Sequence, residues 1–241
     1  RWDFGDGSCQ ENETAKDCTE PNPTHYYFDG KRSFNGNPFI DRRSITPKLT
    51  VTKVVVNDNG GTKVVEDFPL FVDGNSVSSG VENTFDAGAH IVSETSSTGY
   101  TASFSGDCDA DGNINLNLGD VKVCTITNDD KPPQITLIKN VINDNGGNAG
   151  ANDFGLSIGG NSVNSGDTVE VNANTPIEID EAGLSGYDFV SITGDAKCPA
   201  VLGGSVTLDE AESVTCTITN DDTAPKLTVN KIIINNNGGT K

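Results

Sequence analysis

Apolar and polar side chains alternate along a stretch that the chain uses three times. The copies read PKLTVTKVVVNDNGG from Pro47, PQITLIKNVINDNGG from Pro133 and PKLTVNKIIINNNGG from Pro225. Because a period of two places every second side chain on one face, the pattern predicts three β-strands, each closed by a turn rich in Asn and Gly. A lysine lies within the inward-facing register of every copy, at Lys53, Lys139 and Lys231. Solvated lysines belong on the opposite face, so this position needs a chemical reason.

Two further polar residues fall into the inward-facing register. Alternation in the segments HIVSE and IEIDE places Glu94 and Glu181 on the same face as neighbouring apolar residues. The phrase TITNDD closes both complete copies, and its asparagines, Asn128 and Asn220, also face inward. Each complete repeat is therefore predicted to bring one Lys, one Glu and one Asn together in its interior.

The spacing of these markers predicts tandem β-sandwich domains in an all-β chain. We expect a separate segment at 1–46, a first repeat at 47–130, a second at 131–222 and the first strand of a third at 223–241. The 27 glycines, the six cysteines and the small aromatic content favour several small β modules over one enzyme-sized core. With no methionine and Arg1 first, the chain is expected to be a piece of a longer protein.

The net charge of −19 limits the kinds of partner that the chain is expected to bind. Nucleic acid and anionic lipid both require a basic surface, and no apolar run is long enough for membrane insertion. An acidic surface fits a secreted or cell-surface protein, although it is equally explained by solubility alone. We interpret Asn-Asp-Asn-Gly-Gly as a hairpin turn that leaves calcium binding open. No catalytic triad or phosphate-binding glycine loop is visible, so neither an enzyme nor another cofactor is expected.

The cysteines form three local pairs. Cys108 with Cys124 and Cys198 with Cys216 lie in the last third of each repeat, where a disulfide of this loop length contributes about 3 kcal/mol. Cys9 and Cys18 are too far apart for a CxxC metal site, so a small disulfide loop is expected there. Asn12 begins the sequon Asn-Glu-Thr and is the candidate glycosylation site. Such use of cysteine favours an oxidising, extracellular setting.

Two family resemblances follow from these motifs. The opening WDFGDGS with the later HYY resembles the second half of a polycystic-kidney-disease (PKD) type repeat, which implies a partial β domain at 1–46. The strand lysine, the segment SETSSTGY and the terminal TITN resemble the prealbumin-like B-type repeats of collagen-binding adhesins and Gram-positive pilins, which occur in surface proteins of bacteria and archaea. The second resemblance implies an isopeptide bond in each repeat. It would join Lys53 to Asn128 beside Glu94, and Lys139 to Asn220 beside Glu181.

The chemistry of such a bond can be argued from the residues. Burial lowers the pKa of a lysine, so that a neutral, nucleophilic amine becomes accessible. A protonated glutamate can hydrogen-bond the asparagine carbonyl and pass its proton to the departing ammonia. The alternative is a buried ion pair of Lys and Glu with Asn as a hydrogen-bonding neighbour.

The leading functional interpretation is structural. It is a rod of tandem β-sandwich domains in an extracellular surface stalk, adhesin or filament, whose partners are further domains of the same chain or neighbouring copies. The alternative is a carbohydrate- or cell-binding accessory module of a secreted protein.

Overall fold

The structure is a computed structural model that describes residues 46–240 and, before them, only the backbone of two short antiparallel strands, β1 (Ser33–Phe34) and β2 (Asn37–Pro38). The predicted PKD-like motifs, the pair Cys9 and Cys18, and Asn12 lie outside the described residues. The predicted all-β fold is confirmed: the described chain forms two β-sandwiches in tandem. We call them module 1 and module 2.

Module 1 consists of eight strands in two four-stranded sheets. They are β3 (Lys48–Val56), β4 (Leu70–Val72), β5 (Asn75–Val77), β6 (Glu82–Thr84), β7 (Gly88–Glu94), β8 (Tyr100–Gly106), β9 (Asn113–Leu116) and β10 (Val121–Asp130). One sheet has the order β6-β3-β10-β8 and the other the order β5-β4-β7-β9. A single 3-10 turn, Val65–Asp67, lies between β3 and β4.

Module 2 repeats this topology strand for strand. Its strands are β11 (Gln134–Ile142), β12 (Gly155–Ile158), β13 (Asn161–Val163), β14 (Thr168–Glu170), β15 (Ile177–Ala182), β16 (Tyr187–Gly194), β17 (Gly204–Val206) and β18 (Ser213–Asp222). The sheet orders are β14-β11-β18-β16 and β13-β12-β15-β17, and the 3-10 turn is Ala151–Asp153.

The first and last strands of each module pair in parallel, whereas all other pairs are antiparallel. In module 1 the register sets Lys53 opposite Ile126 and Val55 opposite Asn128. In module 2 it sets Lys139 opposite Ile218. Because the two strands run in the same direction, the chain enters a module at one end and leaves it at the other.

Alternation along the strands builds a separate core in each module. Along β3 the buried side chains are Leu49, Val51 and Lys53, and along β10 they include Cys124, Ile126 and Asn128. Burial of these apolar side chains supplies the main stabilisation, on the order of 1.5–3 kcal/mol for each large side chain. The disulfides Cys108–Cys124 and Cys198–Cys216 tie the last strand of each module to the loop between β8 and β9 or between β16 and β17.

The Asn-Asp-Asn-Gly-Gly segments are not hairpin turns, and that interpretation is wrong. The strands on either side, β3 and β4, belong to different sheets and do not pair. The segment instead starts the connection between the two sheets. Alternation identified where the strand stops but carried no information about which sheet the next strand would join.

Residues 223–240, where the first strand of a third repeat was expected, contain no strand. Their apolar side chains are exposed, with Leu227 89% and Ile232 83% accessible. A strand needs a neighbour to satisfy its backbone N–H and C=O groups, and no described strand lies beside this copy. Within the described residues, no helix has the length and apolarity that a membrane crossing requires.

Module 1 contains a His-Asp pair that module 2 lacks. His90 Nδ1 lies 2.7 Å from Asp73 Oδ2, and His90 Nε2 lies 2.8 Å from the Asp86 carbonyl oxygen. Since both acceptors are oxygens, the two ring nitrogens donate together only when the imidazole is protonated. The hydrogen bond to Asp73 is the main reason that the pKa of His90 is raised. The matching position of module 2 is Ile177.

We therefore expect module 1 to lose stability relative to module 2 as the pH rises above 6.5, the ordinary histidine pKa. A raised folded-state pKa gives a contribution that is full below the unfolded pKa and is lost through the folded one. Hydrogen exchange of the two cores between acidic and mildly alkaline pH measures this difference. His90→Gln removes the titration and serves as the control. An unchanged pH dependence in that variant would refute the assignment.

Candidate cross-linking site

The site in each module is assembled from both sheets. In module 2 the two central strands of one sheet, β11 and β18, carry Lys139 and Asn220, and β15 of the facing sheet carries Glu181. The parallel register places Lys139 opposite Ile218, so Asn220 lies two residues further along the same inner face. The backbone N–H of Lys139 donates to Ser165 Oγ at 2.8 Å, which fixes the strand at the lysine.

The three side chains of module 2 form a closed triangle of contacts. Lys139 Nζ donates to Asn220 Oδ1 at 2.7 Å, and Asn220 Nδ2 donates to Glu181 Oε1 at 2.7 Å. Glu181 Oε2 lies 2.7 Å from Lys139 Nζ and forms an ion pair with it. The amine thus lies against the carbonyl oxygen, while the carboxylate contacts both nitrogens.

The triangle is excluded from solvent. The side chains of Lys139 and Glu181 are both 0% accessible. This burial is the largest influence on Lys139 and lowers its pKa, and the pairing with Glu181 only partly offsets it. Loss of the proton from Lys139 is therefore easier here than on the surface. The neutral amine that results is the form that can act as a nucleophile.

Module 1 buries the same three residues but arranges them differently. Lys53 Nζ donates to Glu94 Oε2 at 2.5 Å, and burial again lowers the pKa of Lys53. Asn128 is 1% accessible, yet neither its Nδ2 nor its Oδ1 has a hydrogen-bond partner. Glu94 Oε1 also has no partner. An unpaired buried amide costs about 1–3 kcal/mol, so reaction or rotation toward Lys53 and Glu94 would relieve a penalty.

A phenylalanine beside each lysine was missed by the sequence analysis. The ring centroid of Phe68 lies 4.6 Å from Lys53 Nζ, and that of Phe154 lies 4.2 Å from Lys139 Nζ. Each ring is buried and packs edge-on against a tyrosine, Tyr100 in module 1 and Tyr187 in module 2. The signal was the dipeptide Asp-Phe, which recurs between the first strand and the next in both repeats. These rings keep water from the amine.

A second buried carboxylate organises the loop after the first strand. Asp130 accepts the N–H groups of Asn59 at 3.0 Å and Gly61 at 2.6 Å, so the end of β10 holds the Asn-Asp-Asn-Gly-Gly loop in place. Asp222 does the same for Asn145 and Gly147 in module 2. Burial opposes ionisation of Asp222, but these N–H donors outweigh it and its pKa is lowered.

The sequence left calcium binding open, and the structure brings together two groups of acidic residues that are relevant to it. Carboxylate oxygens of Asp58, Asp129 and Asp130 lie within 4.8 Å of one another, as do those of their counterparts Asp144, Asp221 and Asp222. The most buried member of each group, Asp130 or Asp222, already accepts loop N–H groups with both oxygens. These oxygens thus hold the loop in each module.

A β-sandwich that opens and closes with parallel strands around a buried Lys, Glu and Asn defines the class of this chain. The chain belongs to the family of prealbumin-like fold domains, whose model matches residues 45–126 and again residues 130–218. The predicted prealbumin-like repeats are thus confirmed, while the PKD-like segment stays a prediction. No curated protein matches the chain.

Several solved structures are similar to the chain. The Bacillus anthracis TIE protein is 14% identical over 74% of this chain and 34% of its own, with a TM-score of 0.45. The major pilin of Streptococcus pyogenes is 13% identical over 74% of this chain and 99% of its own, with a TM-score of 0.31. A C-terminal fragment of the pilus adhesin SpaC from Lactobacillus rhamnosus GG is 11% identical over 75% of this chain and 100% of its own, with a TM-score of 0.35. The family assignment rests on the family model and not on these likenesses.

Proposed function

We propose that the chain is a structural segment of an extracellular surface stalk, adhesin or filament whose modules are closed by Lys-Asn isopeptide bonds. The observation that carries the proposal is the contact triangle of Lys139, Asn220 and Glu181, which sets an amine, an amide and a proton carrier together without water. The two disulfides support an oxidising location outside the cell. The only chemistry proposed is this single intramolecular reaction, so the chain has no turnover.

The reaction in module 2 exchanges one amide for another. The neutral Nζ of Lys139 attacks Cγ of Asn220, the new C–N bond forms, and the bond from Cγ to Nδ2 breaks. Glu181 contacts both nitrogens and transfers a proton from Nζ to Nδ2, which leaves as ammonia. No oxidant, metal or cofactor enters the balance. Fixed contact replaces a bimolecular encounter and supplies the effective concentration that an attack on an amide requires.

The same reaction is proposed for Lys53, Asn128 and Glu94 in module 1. The Lys-Glu contact is present at 2.5 Å, and the unpartnered amide of Asn128 shares the same interior. The reaction requires the Asn128 side chain to turn so that its carbonyl carbon meets the amine. The bond would join the first and last strands of the module directly, which suits a segment that carries tension from end to end.

Intact mass of the reduced chain tests the proposal. We expect a mass below the sequence mass by two molecules of ammonia, and Glu94→Ala or Glu181→Ala is expected to restore one each. Glu178→Ala is the matched control, because Glu178 lies on the same strand as Glu181 but faces solvent. An unshifted mass in the unsubstituted chain would reject the covalent proposal and leave a buried ion pair.

A further inference from the structure

The two modules meet through the Asn-Asp-Asn-Gly-Gly loop of module 1. The carbonyl oxygen of Asn59 accepts the N–H of Ala173 at 2.7 Å, and that of Gly60 accepts Asn174 Nδ2 at 3.0 Å. Gly60 has a φ of +89°, and a Cβ at this position would lie 2.4 Å from the Ala173 carbonyl oxygen. Only glycine can hold this loop so close to module 2.

A second contact lies beside the first. The linker residue Lys131 donates its N–H to the Gly99 carbonyl oxygen in module 1 and accepts the N–H of Ala211 in module 2, both at 2.9 Å. A Cβ at Gly99 would lie 2.7 Å from Cβ of Glu210. The linker is therefore hydrogen-bonded to both modules.

The surface of module 2 at this junction contains strained backbone. Asn174 and Ala211 have φ values of +57° and +62°, a region that non-glycine residues seldom adopt. In the described residues the only other non-glycine residue with a positive φ is Asp73. Strain of this kind persists where the surroundings fix it, and here Asn174 donates a hydrogen bond to module 1 and Ala211 donates one to the linker.

The far end of module 2 repeats the loop through which module 1 contacts module 2 at the junction. Gly146 matches Gly60 in sequence and in backbone, with a φ of +97° against +89°. Gly186 matches Gly99 in sequence position, but only Gly186 has a positive φ. The N–H of Thr223 donates to the Gly186 carbonyl oxygen at 2.8 Å, as Lys131 does to Gly99. A Cβ at Gly146 or Gly186 would meet no atom within 4 Å. The loop around Gly146 thus presents the same backbone as the loop around Gly60, with nothing packed on it.

We propose that this distal surface, formed by Asn145, Gly146 and Gly186, is the docking surface for a third module of the same kind. The linker Thr-Ala-Pro before the third strand copy equals the linker Lys-Pro-Pro before β11 in length. The third module would supply a backbone N–H from a small residue and an asparagine amide, as Ala173 and Asn174 do. Its first strand would be the exposed copy that contains Leu227 and Ile232. The inference rests on the proposed function, in which modules follow one another in series.

The test extends the full chain by replacing residues 226–241 with a second copy of residues 134–222. Residual dipolar couplings then report the relative orientation of successive modules. We expect the third module to take one fixed orientation relative to the second, equal to that of the second relative to the first. Independent tumbling of the third module beside a rigid first junction would overturn the proposal.

Two matched glycine substitutions sharpen the result. Gly60→Ala is expected to loosen the first junction in both chains, whereas Gly146→Ala is expected to loosen the second junction in the extended chain and change no orientation in the natural one. Asn174→Gly, which removes the side-chain hydrogen bonds to Gly60 and Glu210 and tolerates the φ of +57°, checks the first junction independently. An extended chain that keeps its second junction rigid with Gly146→Ala would contradict the assignment of the surface. Ammonia loss is measured separately by mass, so failure of the cross-link and failure of docking are distinguishable.

Discussion

When the two modules are pulled from their ends, we expect neither to extend at forces that unfold ordinary β-sandwiches. The proposed bonds join Lys53 to Asn128 and Lys139 to Asn220, on parallel strands at the centre of one sheet in each module. Tension entering along the first strand would pass through the covalent bond to the last strand. The residues between the linked pair would carry no load.

Single-molecule force spectroscopy measures this with attachment just before module 1 and just after module 2. Lys53→Ala is expected to release module 1 alone, and Lys139→Ala module 2 alone, each as one additional extension event. Lys197→Ala provides the control, because this lysine is exposed and pairs only with surface carboxylates. The measurements are made under reducing conditions, so that the disulfides do not limit the extension. Ordinary unfolding of the unsubstituted chain would sink the mechanical proposal.

Alternation predicted the faces of the strands because each sheet buries one side. The registers of Lys53, Glu94 and Asn128 along their strands were therefore assigned from sequence, and the structure buries all three side chains. Repetition strengthened the assignment, since a chance polar residue would not recur at the same register in the second module. The disulfides Cys108–Cys124 and Cys198–Cys216 were predicted from the same repetition.

Pairing between strands was beyond the sequence pattern. Nothing in the period of two indicates that β3 lies parallel to β10, or that β3 and β4 join different sheets. For the same reason the loop with Asn59 was mistaken for a hairpin turn, when its N–H groups bind Asp130 at the end of the module. Long-range hydrogen bonds of this kind leave no local signature, although the repeated Asp-Asp after TITN marked the position.

The contacts of Asn128 also lay outside what alternation can resolve. The alternation tells which face of the strand a side chain lies on. Hydrogen-bond distances depend in addition on side-chain rotamers and on the spacing of the two sheets. Thus the two modules share their residues and topology, while only module 2 shows all three contacts.

Removing Glu181 is expected to destabilise module 2 more than removing both charges of the buried pair. In Glu181→Ala the proposed bond would not form, and Lys139 remains buried without its carboxylate, which costs about 3–5 kcal/mol. The double variant Lys139→Met, Glu181→Gln also lacks the bond but leaves no buried charge. Its introduced amide oxygen can still accept the hydrogen bond from Asn220. Comparing these two variants therefore isolates the unpaired lysine from the loss of the cross-link.

Chemical denaturation, with hydrogen exchange of the module 2 core as the readout, gives the free energy of unfolding of module 2 in each of the two variants. The free energy of unfolding of Glu181→Ala should approach that of the double variant as the pH rises toward 10.5, the ordinary lysine pKa. Burial lowers the folded-state pKa of Lys139, so the unfolded chain binds more protons in this window and alkaline pH favours folding. The double variant has no such group and should show no corresponding slope. Equal stabilities of the two variants across the pH range would show that Lys139 reaches solvent, and the buried amine on which the cross-linking chemistry depends would have to be abandoned.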